Sequence, residues 1–586
     1  MAIEFTGEQL EYINSSIKEH VFLEACPGSG KTEVVAAKVA QELKSWNAGT
    51  TGIAVLSFSN SATDELTKRI SKYLSPGNSM YPHFLGTFDS FIYQNIVNPL
   101  ATELTGFAGD GNDSSIRIVE PSGHLGYQTQ YQYGGRGKVF AHQFSFNGSN
   151  EIIFETGDSV KNRTLNALAL EGWQERDLLK AKIKMLEGGF ATYRDIEYLA
   201  LNALSDDNLK HFVGLLVKRY PLIIIDECQD LSEEQLAILQ ALADNGAQLH
   251  FIGDLHQAIY GFRDVEPDKV KQFVKTNKFT SLKLSRNFRS CQNIVNLCSM
   301  ITGRDNITGN ISWLEPRCLV IQYDKCPTEL IKTFEERCNG FKHNVIVSRG
   351  HSILRKFQTS ATKLNNIQQL ALAIKQFNPN NMEALNNSLE LFSEFIRYHL
   401  KESCKPRSFN CPQSVDSNLA WRRFLCKSLE YLSEHGLQDM KTSWSDWVKL
   451  SKTLVRTLIN LDFCTEAIST ALTPLNKVNL TSPVGLAKKE VISFLGSTAK
   501  TTISLSKSTI HGAKGETHDV TIVVSTAKSG GQPGSHWVSW LSDPESEAAR
   551  FAYVASSRPQ HYLIWAVKKL KAKEKEELEK VGFKVV

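Results

Sequence analysis

The stretch "ACPGSGKT" (residues 25–32) is the feature that most restricts the fold of this chain. It follows a short apolar run at residues 21–23 and precedes "EVVAAKVAQEL", which is typical of a helix. Small residues between a strand and a helix let backbone N–H groups wrap a phosphate, while Lys31 reaches the β- and γ-oxygens and Thr32 ligates Mg²⁺. The pattern predicts an α/β domain with a phosphate cradle, although Ala25 replaces the usual first glycine. The cradle comprises Ala25, Cys26, Pro27, Gly28, Ser29, Gly30, Lys31 and Thr32.

A second segment, "YPLIIIDECQDLS", carries the acidic residues that hydrolysis of a nucleotide requires. Its apolar run at residues 222–225 is typical of a parallel strand buried on both faces. Asp226 is placed to hold Mg²⁺ through water, and Glu227 is placed to activate the attacking water as general base. An acidic loop after a strand is the alternative. Together with the cradle, the pattern predicts ATP hydrolysis and leaves transporters, DNA-repair ATPases and helicases open.

Composition limits the class of protein further. The chain has 586 residues, which at roughly 150 residues per domain suggests about four domains. The formal net charge is only +4, so a nucleic-acid site would be a local channel and not a general basic field. The eleven cysteines form no CxxC pair, which argues against a zinc ribbon or an iron–sulfur cluster. Free thiols without a secretory signal predict a cytoplasmic location, and the lack of an apolar run of about 18 residues predicts no membrane span.

The residues after the acidic pair narrow the choice. "DECQD", with Gln229 and Asp230, resembles the DExQD box of superfamily 1 helicases, specifically the UvrD/Rep/PcrA group. Other segments resemble the remaining motifs of this family in the same order, from about residue 5 to residue 567. They are "FTGEQLEYI", "GIAVLSFSNSATDELTKRI", "GTFDSF", "LHFIGDLHQAIYGFRD", "LKLSRNFRSCQNIV", "STIHGAKGETHDVTIVV" and "ARFAYVASSRPQHYLIWAV".

The resemblance implies how ATP and Mg²⁺ would be bound. Gln9 would read the adenine edge, since an amide offers one donor and one acceptor. Phe288, where the family usually has Tyr, would stack on adenine, and Gln257 would couple the γ-phosphate to the DNA channel. Either Glu516 or Thr517 would lie near the ribose, because Glu516 comes one residue earlier than the family's Glu and Thr517 occupies its usual place. The implied catalytic residues are Lys31, Asp226, Glu227, Gln257, Arg289 and Arg558, with the two arginines on the γ-phosphate.

The resemblance also implies a channel for single-stranded DNA. Tyr260 and Phe262, in "QAIYGFRD", would be stacking surfaces for bases, and burial of both rings in a core is the alternative. Aromatic–base stacking is worth ~1–3 kcal/mol per base and ignores sequence, which suits a translocating motor. The predicted contacts are Ser57, Phe58, Asn60, Thr87, Phe88, Tyr260, Phe262, Arg349, Thr509 and His511.

Strands that alternate with helices around both sets of motifs predict two RecA-like P-loop domains, each a parallel sheet flanked by helices. Two motif-free stretches predict inserted subdomains, the first partly β or irregular and the second mainly helical. Aromatic residues of the helical insertion could form a core or a partner surface. The predicted boundaries are 1–94 and 203–285 for domain 1A, 95–202 for insertion 1B, 286–357 and 498–586 for domain 2A, and 358–497 for insertion 2B.

The leading interpretation is an ATP-driven motor on single-stranded DNA, with a 3′ to 5′ direction implied by the family. The rival is a regulatory ATPase that senses DNA or nucleotide and controls a partner nuclease with little unwinding. "ACPGSGKT", "KGETHD" and "SSRPQ" are similar to UvrD-like helicases of bacterial defence operons, and the Gabija type among them implies an OLD-family nuclease as partner. RNA is a third option for the track, because nothing in the sequence reads a 2′-hydroxyl.

Overall fold

The computed structural model shows two six-stranded parallel sheets, each with helices packed against it. Both sheets belong to one unit made of Met1–Leu354 and Leu505–Val586, and Arg355–Ser504 form a second unit. This architecture confirms the predicted α/β fold class. The structure describes residues 4–46, 49–74, 80–111, 113–123, 125–133, 137–259, 261, 265–310, 317–357, 365–405, 408–493, 505–526, 528 and 533–586.

Strands and helices alternate along most of the chain. In the described ranges, no helix combines the length and hydropathy that a membrane crossing needs. The strands are β1 Val21–Ala25, β2 Ile53–Ser57, β3 Phe84–Thr87, β4 Arg117–Ile118, β5 Gln128–Tyr133, β6 Gly137–Phe140, β7 Phe144–Phe146, β8 Ile152–Phe154, β9 Phe190–Ala191, β10 Leu222–Asp226, β11 Gln248–Gly253, β12 Thr280–Leu284, β13 Arg286–Cys291, β14 Thr308–Asn310, β15 Cys318–Tyr323, β16 Asn344–Ser348, β17 Leu505–Thr509, β18 His518–Val524, β19 Pro559–Lys568 and β20 Lys584–Val585. The α-helices are Gly7–Ile13, Lys31–Ser45, Asn60–Tyr73, Phe88–Ile92, Ala101–Thr105, Ser159–Asn166, Gly172–Glu187, Tyr193–Ser205, Lys210–Arg219, Glu233–Asp244, Pro267–Thr276, Gln292–Thr302, Ile331–Arg337, His351–Phe357, Asn366–Gln376, Met382–Arg397, Asn418–Leu432, Trp444–Thr457, Glu466–Ala471, Trp537–Ser542, Glu547–Ser556 and Ala572–Lys580.

The first lobe is built on the sheet with strand order β12–β1–β11–β10–β2–β3. β2 and β10 are buried at every residue, which explains their continuous apolar sequences. All neighbouring strands are parallel, so the turns that follow β1, β10 and β11 meet at one edge of the sheet. That edge carries the phosphate cradle and the acidic pair.

The second lobe is built on the sheet with strand order β17–β16–β18–β19–β15–β20. Its inner strand β19 pairs with both β18 and β15. Trp540 and Trp565 are buried in its core and contact each other edge to face, with ring centroids 4.9 Å apart. β13 follows the last strand of the first lobe, and the N–H of its Phe288 donates to the carbonyl of Gly28 in the cradle at 2.9 Å.

The chain between β3 and β10 forms an insertion on the first lobe. It contains three two-stranded sheets, β4–β9, β5–β6 and β7–β8, joined by irregular segments and helices. Lys182 of the helix Gly172–Glu187 pairs with Asp195 at 2.8 Å, and both side chains are buried. Removing one partner of such a pair costs about 3–5 kcal/mol, so the pair fixes the position of this helix within the insertion.

The unit Arg355–Ser504 is helical, and its described residues include no strand. Its core is aromatic: Phe392, Trp421, Trp444 and Trp447 are almost fully buried. The aromatic residues of its helices are therefore core residues, in agreement with one of the two interpretations of the sequence.

Candidate nucleotide cleft and nucleic-acid face

The phosphate cradle lies between β1 and the helix Lys31–Ser45. Gly28 and Gly30 have φ values of +71° and +80°, in the left-handed region that glycine adopts without strain. A Cβ on Gly28 would lie 2.6 Å from the Cβ of Arg289, so the close approach of β13 also requires glycine here. No side chain caps the first turn of the helix, whose N–H groups therefore suit an anion.

Residues of both lobes enclose one cleft of about 430 Å³. The first lobe contributes the cradle, the acidic pair and Gln257, and β13 contributes Phe288 and Arg289. Ala25 and Cys26, which precede the lining residues in the chain, are fully buried. The predicted residues that line the cleft are Pro27, Gly28, Ser29, Gly30, Lys31, Thr32, Asp226, Glu227, Gln257, Phe288, Arg289 and Arg558.

Gln9 contacts the cradle from the helix Gly7–Ile13. Its Nε2 donates to the carbonyl of Ser29 at 3.0 Å, and its Oε1 accepts from the N–H of Thr6 at 2.9 Å. Both ends of the amide are thus bonded within the protein, beside the cleft. Reading of adenine by Gln9 stays a prediction, because the amide would have to exchange one of these bonds for the base.

The acidic pair is engaged by a lysine of the cradle. Lys31 Nζ lies 3.0 Å from Glu227 Oε2. Glu227 has a φ of +59°, a strained value for a residue with a side chain, and such strain clusters at functional sites. Burial opposes the charge of Glu227, but Lys31 and Lys514 outweigh it and hold its pKa below the ordinary range. Burial beside this charge raises the pKa of Asp226, so the two carboxyl groups differ in proton affinity.

Thr32 and Asp226 are the predicted Mg²⁺ contacts, and both line the cleft. Hydroxyl and carboxylate oxygens suit Mg²⁺, which usually takes one or two protein ligands and completes its shell with water and phosphate oxygens. The described part of the chain contains no group of three or more His, Cys, Asp or Glu residues that could hold a metal. The donor set therefore fits a magnesium ion that is bound together with a phosphate.

Two arginines line the nucleotide cleft on the side of the second lobe. Arg558 is 2% exposed, and its Nη2 donates to Gln257 Oε1 at 3.0 Å across the lobes. Arg289 Nη1 donates to the carbonyl of Ser557 at 3.2 Å. Burial and the nearby charge of Arg558 lower the pKa of Arg289 to about 9. Two guanidinium groups in one cleft, that of Arg558 buried and that of Arg289 partly buried, suit an anion with several acceptor oxygens.

The turn after β17 differs from the family pattern, and the structure shows where its residues lie. Gly515 and Thr517 line the cleft. The side chain of Glu516 instead accepts from His518 Nε2 at 2.9 Å, so its role at the ribose stays a prediction. Lys514 pairs with Asp230 of the first lobe at 2.7 Å, and this buried ion pair joins the two lobes beside the cleft.

Predicted nucleic-acid contacts of the first lobe lie at the ends of β2 and β3. Ser57 and Thr87 are register partners at the carboxyl ends of these strands. Ser57 is buried and hydrogen-bonded, Phe58 is partly buried against the core, and Asn60 is exposed. Phe88 is 2% exposed in the core, so its ring offers no face to a base, contrary to expectation. Asn60 and Thr87 remain the better placed candidates.

In the second lobe, Arg349 and His511 form a packed cluster instead of projecting freely. The guanidinium of Arg349 lies 3.6 Å from the ring centroid of Phe551, and its Nη1 is 3.3 Å from His511 Nδ1. His511 Nε2 is 3.0 Å from the carbonyl of Ile259 in the first lobe. The cluster therefore joins the two lobes at Ile259, and contact of Arg349 and His511 with DNA stays a prediction.

The other predicted DNA contacts are less defined. Thr509 lies at the carboxyl end of β17, where its Oγ1 accepts from the N–H of Gly512 at 3.1 Å. Tyr260 and Phe262 lie outside the described residues. Stacking of bases on these two rings therefore stays a prediction.

Charged residues that the motifs did not single out also line the cleft. Arg69 forms an ion pair with Glu33, and its Nε donates to Glu65 at 3.1 Å. Glu65 and Arg69 are four residues apart on the helix Asn60–Tyr73, so they share a face of that helix. The four-residue spacing is the one sequence feature that could have indicated that Glu65 and Arg69 act together at the cleft. The same spacing is equally typical of a solvated helix surface.

A cradle in one parallel α/β lobe and arginines from another define a two-lobed P-loop protein. Residues 5–278 match the UvrD/REP helicase N-terminal domain. The chain is similar to UvrD-like helicases of superfamily 1, and the helicases of this group use ATP.

Individual relatives are distant. The chain is 27% identical over 322 residues to the ATP-dependent DNA helicase srs2 of Schizosaccharomyces pombe, which covers 52% of this chain and 35% of that protein. It is 22% identical over 333 residues to DNA helicase II of Haemophilus influenzae, covering 53% and 42%. It is 25% identical over 283 residues to Gabija protein GajB of Bacillus cereus, covering 48% and 46%. The chain thus spans less than half the length of each of these relatives.

Proposed function

We propose that the protein is an ATP-driven motor that moves along single-stranded DNA and separates the strands of the duplex ahead of it. The observation that carries this proposal is the convergence of Lys31, Asp226, Glu227, Arg289 and Arg558 on one cleft between two lobes. A nucleotide bound there would contact both lobes, so its binding and loss would change how they meet. The names of the relatives, which include DNA helicases, support the same function.

The residues of the cleft divide the work of ATP hydrolysis. Lys31 and the N–H groups of the cradle bind the phosphates, and Glu227 accepts the proton of the attacking water. Arg289 and Arg558 stabilise the charge that develops on the transferred phosphoryl group, an effect worth about 10³–10⁵ in rate for such arginines. Mg²⁺, held by Thr32 and Asp226, would neutralise charge on the phosphate oxygens.

The DNA would run along the carboxyl ends of the edge strand and its neighbour in each of the two sheets. β2 and β3 in the first lobe and β16 and β17 in the second place polar residues there. Contacts to the sugar–phosphate backbone make binding weakly dependent on sequence and strongly dependent on salt. A 3′ to 5′ direction belongs to this proposal by resemblance to the family.

Similarity to GajB favours a second candidate, a regulatory ATPase in anti-phage defence. Here the same cleft would sense DNA or nucleotide and control a nuclease of the OLD family, with little unwinding. The eleven cysteines, all without a disulfide, suit a cytoplasmic setting for either function. Co-purification of the chain with a nuclease, and ATP turnover without unwinding of a forked substrate, would favour this candidate.

The test is ATP turnover with and without single-stranded DNA, measured for the wild type and for Glu227→Gln. We expect DNA to stimulate the wild type and the variant to lose at least 100-fold of this turnover, because general base catalysis contributes about 10²–10⁴. The variant should still bind a fluorescent ATP analogue. The exposed Glu576→Gln is the matched control. Unchanged turnover in Glu227→Gln contradicts the base assignment, and a wild type indifferent to DNA contradicts the motor.

A further inference from the structure

A buried carboxylate joins the two lobes behind the nucleotide cleft. Asp254, directly after β11, is 0% exposed. Its Oδ2 accepts from Gln257 Nε2 at 2.8 Å and from the hydroxyl of Tyr553 at 3.1 Å, and its Oδ1 accepts from Arg304 Nη1 at 3.1 Å. Tyr553 and Arg304 come from the second lobe. The N–H of His256 also donates to Oδ1 at 3.2 Å, so each lobe supplies two of the donors. A buried charge requires such partners, so loss of Arg304 or Tyr553 would leave Asp254 less well satisfied.

Arg304 contacts two acidic residues of the first lobe at once. It lies two residues beyond the helix Gln292–Thr302, and its side chain is only 13% exposed. Besides Asp254, its Nη2 lies 3.4 Å from Glu24 of β1, the strand that leads into the cradle. A planar guanidinium can serve both carboxylates in a fixed geometry, which a lysine does less well.

The bond from Asp254 determines which way the amide of Gln257 points. A carboxylate only accepts and a guanidinium only donates. Nε2 of Gln257 must therefore face Asp254, and Oε1 must face Arg558, whose Nη2 donates to it at 3.0 Å. Gln257 also lines the cleft, so the orientation of one amide links Asp254 to the groups that would surround a phosphate.

We propose that Arg304 and Tyr553 are positioning residues for hydrolysis: they hold Asp254, and through it the Gln257 amide, in register with Arg558 when the lobes meet. The inference rests on the proposed ATPase function and adds a chain of polar contacts to it. One member of this chain, Arg304, lies outside the helicase motifs recognised in the sequence. If Arg304 and Tyr553 have this role, Gln257 is correctly oriented only when the two lobes are in contact. Binding of the nucleotide itself does not depend on it.

The experiment compares Arg304→Met, Arg304→Lys and Tyr553→Phe with wild type. In Arg304→Met we expect kcat of DNA-stimulated ATP turnover to fall about tenfold while KM for ATP stays within twofold. Arg304→Lys should recover part of the loss, and Tyr553→Phe should lower kcat about threefold. Hydrogen exchange of the nucleotide-free protein should be faster at Leu255–Gln257 in Arg304→Met. Arg117→Met is the control, because Arg117 pairs with Asp110 at 2.9 Å on an exposed surface.

The outcomes separate this inference from the proposed function. If wild type turns over ATP in response to DNA but Arg304→Met and Tyr553→Phe match it in kcat, the positioning role is wrong and the motor stands. A rise in KM with unchanged kcat also contradicts the role. If wild type shows no turnover, the motor fails, and unchanged exchange at Leu255–Gln257 would then overturn the positioning role independently. Should Arg304→Met not fold, Tyr553→Phe, which removes a single hydroxyl, decides the question.

Discussion

At the scale of single residues, two phenylalanines with similar predicted roles lie in opposite environments. Phe88 and Phe288 were both expected to contact a base. Phe88 begins a short helix whose Phe91 and Ile92 are also buried, so its ring packs into the first lobe. Phe288 is 45% exposed on the wall of the cleft, with the guanidinium of Arg286 5.8 Å from its ring centroid. Exposure next to a cavity, and not aromatic character, distinguishes a stacking surface from a core residue.

Replacing Phe288 therefore tests the base-binding end of the cleft. We expect Phe288→Ala to weaken binding of a fluorescent ATP analogue about tenfold, since base stacking is worth ~1–3 kcal/mol, and Phe288→Tyr to bind like wild type. Leu419→Ala, at a 79% exposed site in the helical unit, is the control. Equal affinity of Phe288→Ala and wild type would remove Phe288 from the site.

At the scale of elements, the cradle is shaped by the strand that packs on it as well as by its own sequence. Gly28 has a left-handed φ, and a Cβ there would also lie 2.7 Å from Asn287 Oδ1 of β13. Gly49 has a similar φ of +63°, but a Cβ there would meet nothing within 4 Å. A comparison of substitutions at Gly28 and Gly49 therefore distinguishes the effect of backbone strain from the effect of crowding between elements.

We expect Gly28→Ala to lower the free energy of unfolding by more than Gly49→Ala. In both variants an alanine in the left-handed conformation lowers the free energy of unfolding by about 1–2 kcal/mol. In Gly28→Ala, overpacking against β13 lowers it by about 1–3 kcal/mol more. Denaturant unfolding of both variants measures the difference. Gly28→Ala should also bind nucleotide more weakly, while Gly49→Ala should not. An equal loss of free energy of unfolding in the two variants would show that β13 shifts to accommodate the added methyl group without destabilising the protein.

The sequence predicts the position of a residue where one short segment determines it, and it does not predict contacts that depend on distant packing. The cradle and the acidic pair each follow an apolar strand, so their positions could be predicted from one short segment. Asp254 follows β11 in the same way, but its partners Arg304 and Tyr553 carry no signal that they meet it. Burial of Phe88 likewise depends on a neighbouring core. The domain boundaries and the roles of the cleft residues stay predictions.

At the scale of the whole molecule, buried neutral histidines make stability depend on pH. His250 is 0% exposed in β11, and burial together with Lys38 lowers its pKa to about 3. The unfolded chain takes up this proton near the ordinary value of about 6.5. Below a pH of about 6.5 the unfolded state binds this proton and the folded state does not, so the free energy of unfolding falls as the pH decreases toward 3. Above this pH the contribution of His250 to stability is fully present.

We expect the free energy of unfolding to fall between pH 6.5 and pH 5, with His250 contributing up to about 1.4 kcal/mol per pH unit. His250→Gln keeps a donor for the carbonyl of Ser16, which His250 Nε2 contacts at 3.2 Å, and should flatten the slope. His211→Gln, at an exposed site, should leave the slope unchanged. A slope that persists in His250→Gln would exclude His250 as its source.

The strand order of the second lobe has a consequence for how the chain is made. The sheet of the first lobe is complete once Leu284 has been synthesised, whereas the inner strand β19 of the other sheet is Pro559–Lys568. A ribosome adding about 5–20 residues per second needs at least ten seconds or so to cover that interval. During this period a nascent polypeptide would already possess its phosphate cradle while Arg558 was still untranslated, so it could hold a nucleotide well before it could consume one.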